Sequence, residues 1–122
     1  MTKIFVSAVI DAPIGEVWAK AGIAPHAERH LGLRDNFSFG EVEPATIAGM
    51  ISAVAAEGAD AVVILCTNLD GAALAASLER QLDIAVLDSV AVTLWRTLSL
   101  AGGDIGALAE WGRIFRTAPV IR

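Results

Sequence analysis

The chain has a single cysteine, two histidines and no tyrosine. One thiol cannot close a disulfide within the chain, and with only His26 and His30 as soft partners a structural zinc site is not expected. No metal site is implied. Basic residues are also few: nine Lys and Arg stand against fourteen Asp and Glu, a net charge of -5. Nowhere do they gather into the concentrated stripe that phosphate neutralisation needs, so nucleic acid is not an expected partner. Long hydrophobic runs are missing as well. Gly, Asp or Glu interrupts every apolar stretch well short of the roughly 18 to 20 residues of a bilayer crossing, so no membrane span is expected. The opening run from Lys3 to Ile10 meets Asp11 and Pro13 at once, unlike a secretory leader. A reduced, cytoplasmic setting fits these absences.

Apolar residues, by contrast, are abundant. They make up 55% of the 122 residues while charged ones make up 19%, more apolar material than a lone domain of this size hides, so a partner surface is expected. The length suits one domain over residues 1–122. Residues 3–10 form a β-prone run stopped at Asp11-Ala12-Pro13. A short helix follows over Ile14–Ala21, with Val17, Trp18 and Ala21 at helical spacing and Gly22 as its stop. A second strand is placed at about Ala24–Leu33, ahead of a loop over Arg34–Gly40. Pro44 opens a helix with Ile47, Met50, Ile51, Val54 and Ala55 on one face and Gly58 as its close. The unbroken run Ala61–Cys66 reads as a central parallel strand covered on both faces, because an exposed face would demand alternation.

Asp70 is expected to cap a helix to about Leu82, with Ala73, Leu74 and Leu78 inward, followed by a strand over Ile84–Leu87. Ser89 is expected to cap a helix that turns Leu94, Trp95 and Leu98 to the core and stops at Gly102-Gly103. Asp104 then opens a last helix bearing Ile105, Leu108, Trp111 and Phe115. Strands alternating with helices predict an α/β three-layer sandwich, flavodoxin-like, around a four-stranded, mostly parallel sheet. Ligands of such folds bind beyond the carboxyl ends of the strands, here the loops that begin at Asp11, Arg34, Thr67 and Ser89.

Cys66 falls at that edge, followed by Thr67 and Asn68 and then a helix whose first amides point back at the loop. Free amides and a helix dipole favour a thiolate and equally a bound carboxylate, so one turn can hold a nucleophile or base together with an anionic substrate. A cysteine ending an apolar strand is also a common small core residue, and the sequence leaves both readings open. Asp11 and Glu16 read as a cap and a solvated face rather than as an acid and a base. His26 and His30 would share a helical face, but Pro25 opposes a helix there. The Gly102-Gly103 pair is a helix stop, and Trp18, Trp95 and Trp111 are core or interface aromatics.

Three stretches, Leu31-Gly32-Leu33-Arg34-Asp35-Asn36-Phe37-Ser38-Phe39-Gly40, Val63-Ile64-Leu65-Cys66-Thr67-Asn68-Leu69 and Leu87-Asp88-Ser89-Val90-Ala91-Val92-Thr93-Leu94-Trp95, resemble the C-terminal lobe of maleate cis-trans isomerases and arylmalonate decarboxylases, within the aspartate/glutamate racemase superfamily. The resemblance covers about residues 28–116. It implies a cofactor-independent enzyme acting on a carbon beside a carboxylate, with two similar lobes facing across a cleft. Cys66 matches the second-lobe cysteine that moves a proton, and Thr67 and Asn68 match its neighbours. Asn36, Ser89 and Val90 match residues lining the cleft, whereas Asp35, Gly40 and Trp95 match positions that shape loops or fill the core. The first lobe and its cysteine have no counterpart in this chain. Residues 1–18 instead resemble the start of a START-type polyketide cyclase domain, as a chimeric, truncated or degenerate chain would.

Two classes follow. In one, the protein is an isomerase, racemase or decarboxylase of a small carboxylic or dicarboxylic acid, completed as a homodimer whose two Cys66 thiols face one substrate. In the other it is a single lobe that binds a small acid or a protein without turnover, lacking the second wall that excludes water.

Overall fold

The computed structural model describes residues 2–7 and 14–118. The turn at Asp11-Ala12-Pro13 therefore lies outside the described residues. Four strands, β1 (Thr2–Ser7), β2 (Ile23–Pro25), β3 (Ala61–Ile64) and β4 (Ala85–Asp88), form one sheet in the order β2-β1-β3-β4. Every pairing is parallel, as the alternation of strand and helix predicted. The helices are α1 (Ile14–Ala19), α2 (Asn36–Gly40), α3 (Pro44–Ala55), α4 (Ala72–Leu82) and α5 (Ser89–Ala101). Among the described residues no helix is long and apolar enough to cross a membrane.

β3 is the structural centre. Neighbouring residues of a strand face opposite sides, so burial of both Ala61 and Val62 means that both faces are covered. α3 packs on the sheet through Ile47, Ile51 and Val54, and α4 through Ala75 and Leu78, which join Val62, Ile64 and Val86 in one core. Fully burying each valine or isoleucine of this set stabilises the fold by about 1.5–3 kcal/mol.

Several boundaries differ from the sequence expectation, each for a local reason. The second strand is only Ile23–Pro25, and the chain from His26 to Arg34 is irregular. Pro25 offers no amide to a ladder, and the polar residues after it turn to the end of α3 instead: His26 Nε2 meets Glu57 O at 2.9 Å and Arg29 pairs with the Glu57 carboxylate. The expected loop over 34–40 contains α2, whose N-terminus is capped by Asp35, Oδ1 accepting from Ser38 N at 2.9 Å and Oδ2 from Ser38 Oγ at 2.8 Å. β3 ends at Ile64 rather than Cys66 because its partner β4 ends there: Ile64 pairs with Asp88, after which α5 begins. Leu65 and Cys66 run on past the ladder.

Asp70 does not cap α4. Its N-cap is Gly71, with no side-chain hydrogen bond, and Ala73 is exposed while Glu79 is buried. The capping role assigned to Ser89 belongs to Asp88, whose Oδ1 accepts from Val90 N at 2.9 Å and Ala91 N at 3.1 Å. Leu94 of α5 is 42% exposed rather than inward. The expected last helix is two 3₁₀ segments, Ile105–Trp111 and Arg113–Arg116, separated by Gly112 at φ +143. Asp104 does cap the first of them, accepting from Ala107 N, and Phe115 is buried, but Trp111 is half-exposed.

Candidate active site

The turn from Cys66 to Gly71 leaves the C-terminal end of β3 and leads into α4. Leu69 N donates to Cys66 O at 3.4 Å and Gly71 N to Leu69 O at 2.9 Å, which curls the segment over the sheet edge. Cys66 is a free, half-buried cysteine packed against the core on one side. Thr67 and Asn68 are exposed beside it. Asn68 Nδ2 donates to Asn36 O at 3.2 Å, so the first turn of α2 is tied to the cysteine loop across 32 residues of chain. Two of the residues expected on one cleft wall are thus in direct contact, and Gly40, at the other end of α2, lies close to Asn68 O.

Ser89 and Val90 stand at the head of α5 on the neighbouring strand end. Ser89 Oγ donates to Ile64 O at 2.7 Å, which spends its proton inside the fold and leaves its lone pairs. Val90 N is committed to Asp88, so the amide at this position is not open to a substrate carboxylate. The Val90 side chain is 48% exposed and helps line an apolar hollow of about 260 Å³, shared with Ala72, Leu94, Leu108, Trp111 and Phe115.

Two residues that the motifs did not single out organise this edge. Asp88 is 1% exposed and its Oδ2 has no hydrogen-bond partner. Burial pushes its carboxyl above the usual carboxylate range, against the pull of the Ala91 and Val90 amides, and the charge of Asp70 pushes the same way as burial. Gly71 is the other: a Cβ there would lie 2.4 Å from Ile64 Cδ1 and 3.0 Å from Asp88 Oδ2, so only glycine lets the turn pass this close. The signal for Asp88 was present in the Asp88-Ser89 pair at a strand-helix junction, where either side chain could cap. Nothing local marked Gly71.

Asp35 is held below the usual carboxylate range by the Ser38 amide and hydroxyl, which suits its capping role. His26 and His30 turn to separate acceptors, Glu57 O and the Glu28 carboxylate. Glu16 is exposed, as a solvated helix face requires. Trp95 is half-buried and donates from Nε1 to Thr117 O at 3.2 Å, a packing role.

Comparison with known proteins places this arrangement. No curated protein matches the chain. Among solved structures, a glycine-to-cysteine mutant of arylmalonate decarboxylase in a sulfate-associated form is similar over 95% of this chain and 52% of its own, with 23% identity and a TM-score of 0.82. Maleate cis-trans isomerase from Nocardia farcinica, a cysteine-to-serine mutant with a covalently bound succinylcysteine intermediate, is similar over 94% of this chain and 49% of its own, with 18% identity and a TM-score of 0.81. The maleate isomerase of Pseudomonas putida gives 18% identity, 97% and 49% coverage and a TM-score of 0.81. These likenesses show the fold, and the chain spans about half the length of each. The Asp/Glu/Hydantoin racemase family model matches residues 2–97. A parallel sheet with the cysteine turn and the Asp88-Ser89 turn side by side at its carboxyl edge, together with that match over most of the chain, means that this protein belongs to the Asp/Glu/Hydantoin racemase family.

Proposed function

We propose that the protein is a cofactor-independent isomerase, racemase or decarboxylase of a small carboxylic or dicarboxylic acid, of the maleate or arylmalonate type, working through the thiol or thiolate of Cys66. The observation that carries this reading is the position of Cys66: half-buried, past the end of β3, on a turn that precedes α4. The positive end of α4 and the polar side chains of Thr67 and Asn68 favour a carboxylate beside the thiol. Asn36 fixes Asn68, Ser89 offers lone pairs, and Val90 supplies an apolar wall. In the chemistry this supports, Cys66 moves a proton at the carbon next to the carboxylate. In a decarboxylation, the carbon-carboxylate bond breaks to release CO2, and the carbon takes the thiol proton.

A second wall is needed to exclude water and hold the developing charge, and in our reading a second copy supplies it in a two-fold homodimer. The cytoplasm, which keeps a lone thiol reduced, is the compartment we assign. The test is turnover of a panel of maleate, arylmalonates and amino acids by the wild type and by Cys66→Ala, with solution mass measured in parallel. We expect turnover by a dimeric wild type and its loss in the variant; unchanged turnover in Cys66→Ala overturns the reading.

The alternative, a lobe that binds an acid or a protein without turnover, draws its support from the open apolar hollow beside Val90, Leu94 and Trp111. A strictly monomeric protein that binds maleate without converting it would favour this alternative.

A further inference from the structure

Asp88 makes more of a commitment than its cap requires. Capping α5 uses Oδ1 alone, and Asn or Ser would provide an acceptor for the same two amides without burying a charge. The caps of the two other segments, Asp35 and Asp104, are exposed, so their charge meets water; Asp88 is 1% exposed and its Oδ2 is unpartnered. That oxygen lies against Gly71, where an added Cβ would come within 3.0 Å of it. Gly71 ends the turn that Cys66 begins, while the residue in register with Asp88, Ile64, stands two positions before Cys66 and is strapped to Ser89 Oγ. Before the thiol, Ile64 is therefore held by Ser89 and by its pairing with Asp88, and after it Gly71 packs closely against the Asp88 carboxyl.

We propose that Asp88 is a positioning residue for Cys66, one that packs the cysteine turn against the α5 turn and whose carboxylate, at the same end of the sheet, restrains the reactivity of the thiol. The proposal rests on the reading of Cys66 as the reacting group. A carboxylate in a poorly hydrated position disfavours a second negative charge nearby, whether thiolate or bound acid, and so opposes the attraction of the α4 N-terminus. The charged groups on the surrounding elements are Asp70, whose field adds to this effect, Glu79 of α4, which is occupied by Val86 N and Arg113 N, and the exposed Arg80 of α4 and Arg96 of α5. Because burial raises the Asp88 carboxyl, the charge develops as pH rises through that raised value and is absent below it.

The single cysteine makes the test independent of turnover. Iodoacetamide modification of Cys66 is followed against pH in the folded wild type, in Asp88→Asn and Asp88→Ser, which keep a capping acceptor, and in Asp88→Glu, which keeps the charge. The expected result is modification two- to tenfold faster in the two neutral variants at pH above the raised Asp88 value, no such difference below it, and a near wild-type profile for Asp88→Glu. Profiles that coincide across all four proteins overturn the proposal, as does loss of the fold in both neutral variants, which would assign the charge to stability instead. If the profiles separate while Cys66→Ala leaves turnover intact, the coupling of Asp88 to the thiol stands and the catalytic reading alone fails.

Discussion

Two carboxylates at helix starts show how burial reverses the meaning of one residue type. Asp35 is exposed and held low by Ser38, so its contribution to stability is present above the ordinary carboxylate range and is lost as pH falls through its lowered value. Asp88 is raised, so the sign inverts: its contribution is full below the unfolded value near 3.8 and is lost as pH rises through the folded one. Asp88→Asn should therefore gain stability relative to the wild type as pH rises above the unfolded value near 3.8, read as a rising difference in urea midpoint. Gly71 is a second residue-scale constraint. Its φ of -91 suits any amino acid, so the demand is for space rather than for backbone freedom. Gly71→Ala would press a methyl onto Ile64 and Asp88, and a loss of about 1–3 kcal/mol is expected from chemical denaturation.

Among the elements, α4 is fastened by a side chain of unusual placement. Glu79 is 3% exposed, accepts from Val86 N at 3.0 Å through Oε1 and from Arg113 N at 2.7 Å through Oε2, and so ties α4 to β4 and to the segment Arg113–Arg116. Arg113 returns the link, donating to Glu79 O and to Asp83 Oδ1. Glu79→Ala leaves two amides without acceptors and should cost about 3 kcal/mol, and Glu79→Gln, which keeps one acceptor oxygen, about half as much, by the same urea titration. The elements also mark where the sequence was readable. α3 was plain because Pro44 opens it and Ile47, Ile51 and Val54 repeat at helical spacing, and β3 because an unbroken apolar run fits a strand covered on both sides. What escaped was decided by tertiary contact. β2 shrank to three residues because the polar segment after Pro25 found Glu57, and α2 formed where its Phe37 and Phe39 read as loop because Asp35 and Ser38 close a cap. The last helix broke into 3₁₀ pieces at Gly112, a position pressed against Glu79 that no local pattern announces.

For the molecule as a whole, the parallel sheet concentrates its polar residues of interest at one edge. Cys66, Thr67 and Asn68 follow β3, Ser89 and Val90 follow β4, and Asn36 joins them through Asn68. The strand-end position of Cys66, with Thr67 and Asn68 after it, was legible in the chain itself, whereas Asn36, Ser89 and Val90 were placed on the cleft only by the family resemblance. The division of labour within this cluster was not legible, since it depends on which partner each donor finds: the Ser89 proton goes to Ile64 O and the Val90 amide to Asp88. Beside the cluster lies the hollow lined by Val90, Leu94 and Trp111, the surplus apolar surface that the composition implied. In the function proposed above, the cysteine turn is the seat for a small acid. The most direct measurement is the rate at which iodoacetamide modifies Cys66 in the wild type with and without excess maleate, using the uncharged maleamide as control. Maleate is expected to slow modification several-fold and maleamide to leave it unchanged; equal rates in all three conditions would rule out a carboxylate seat at the cysteine turn.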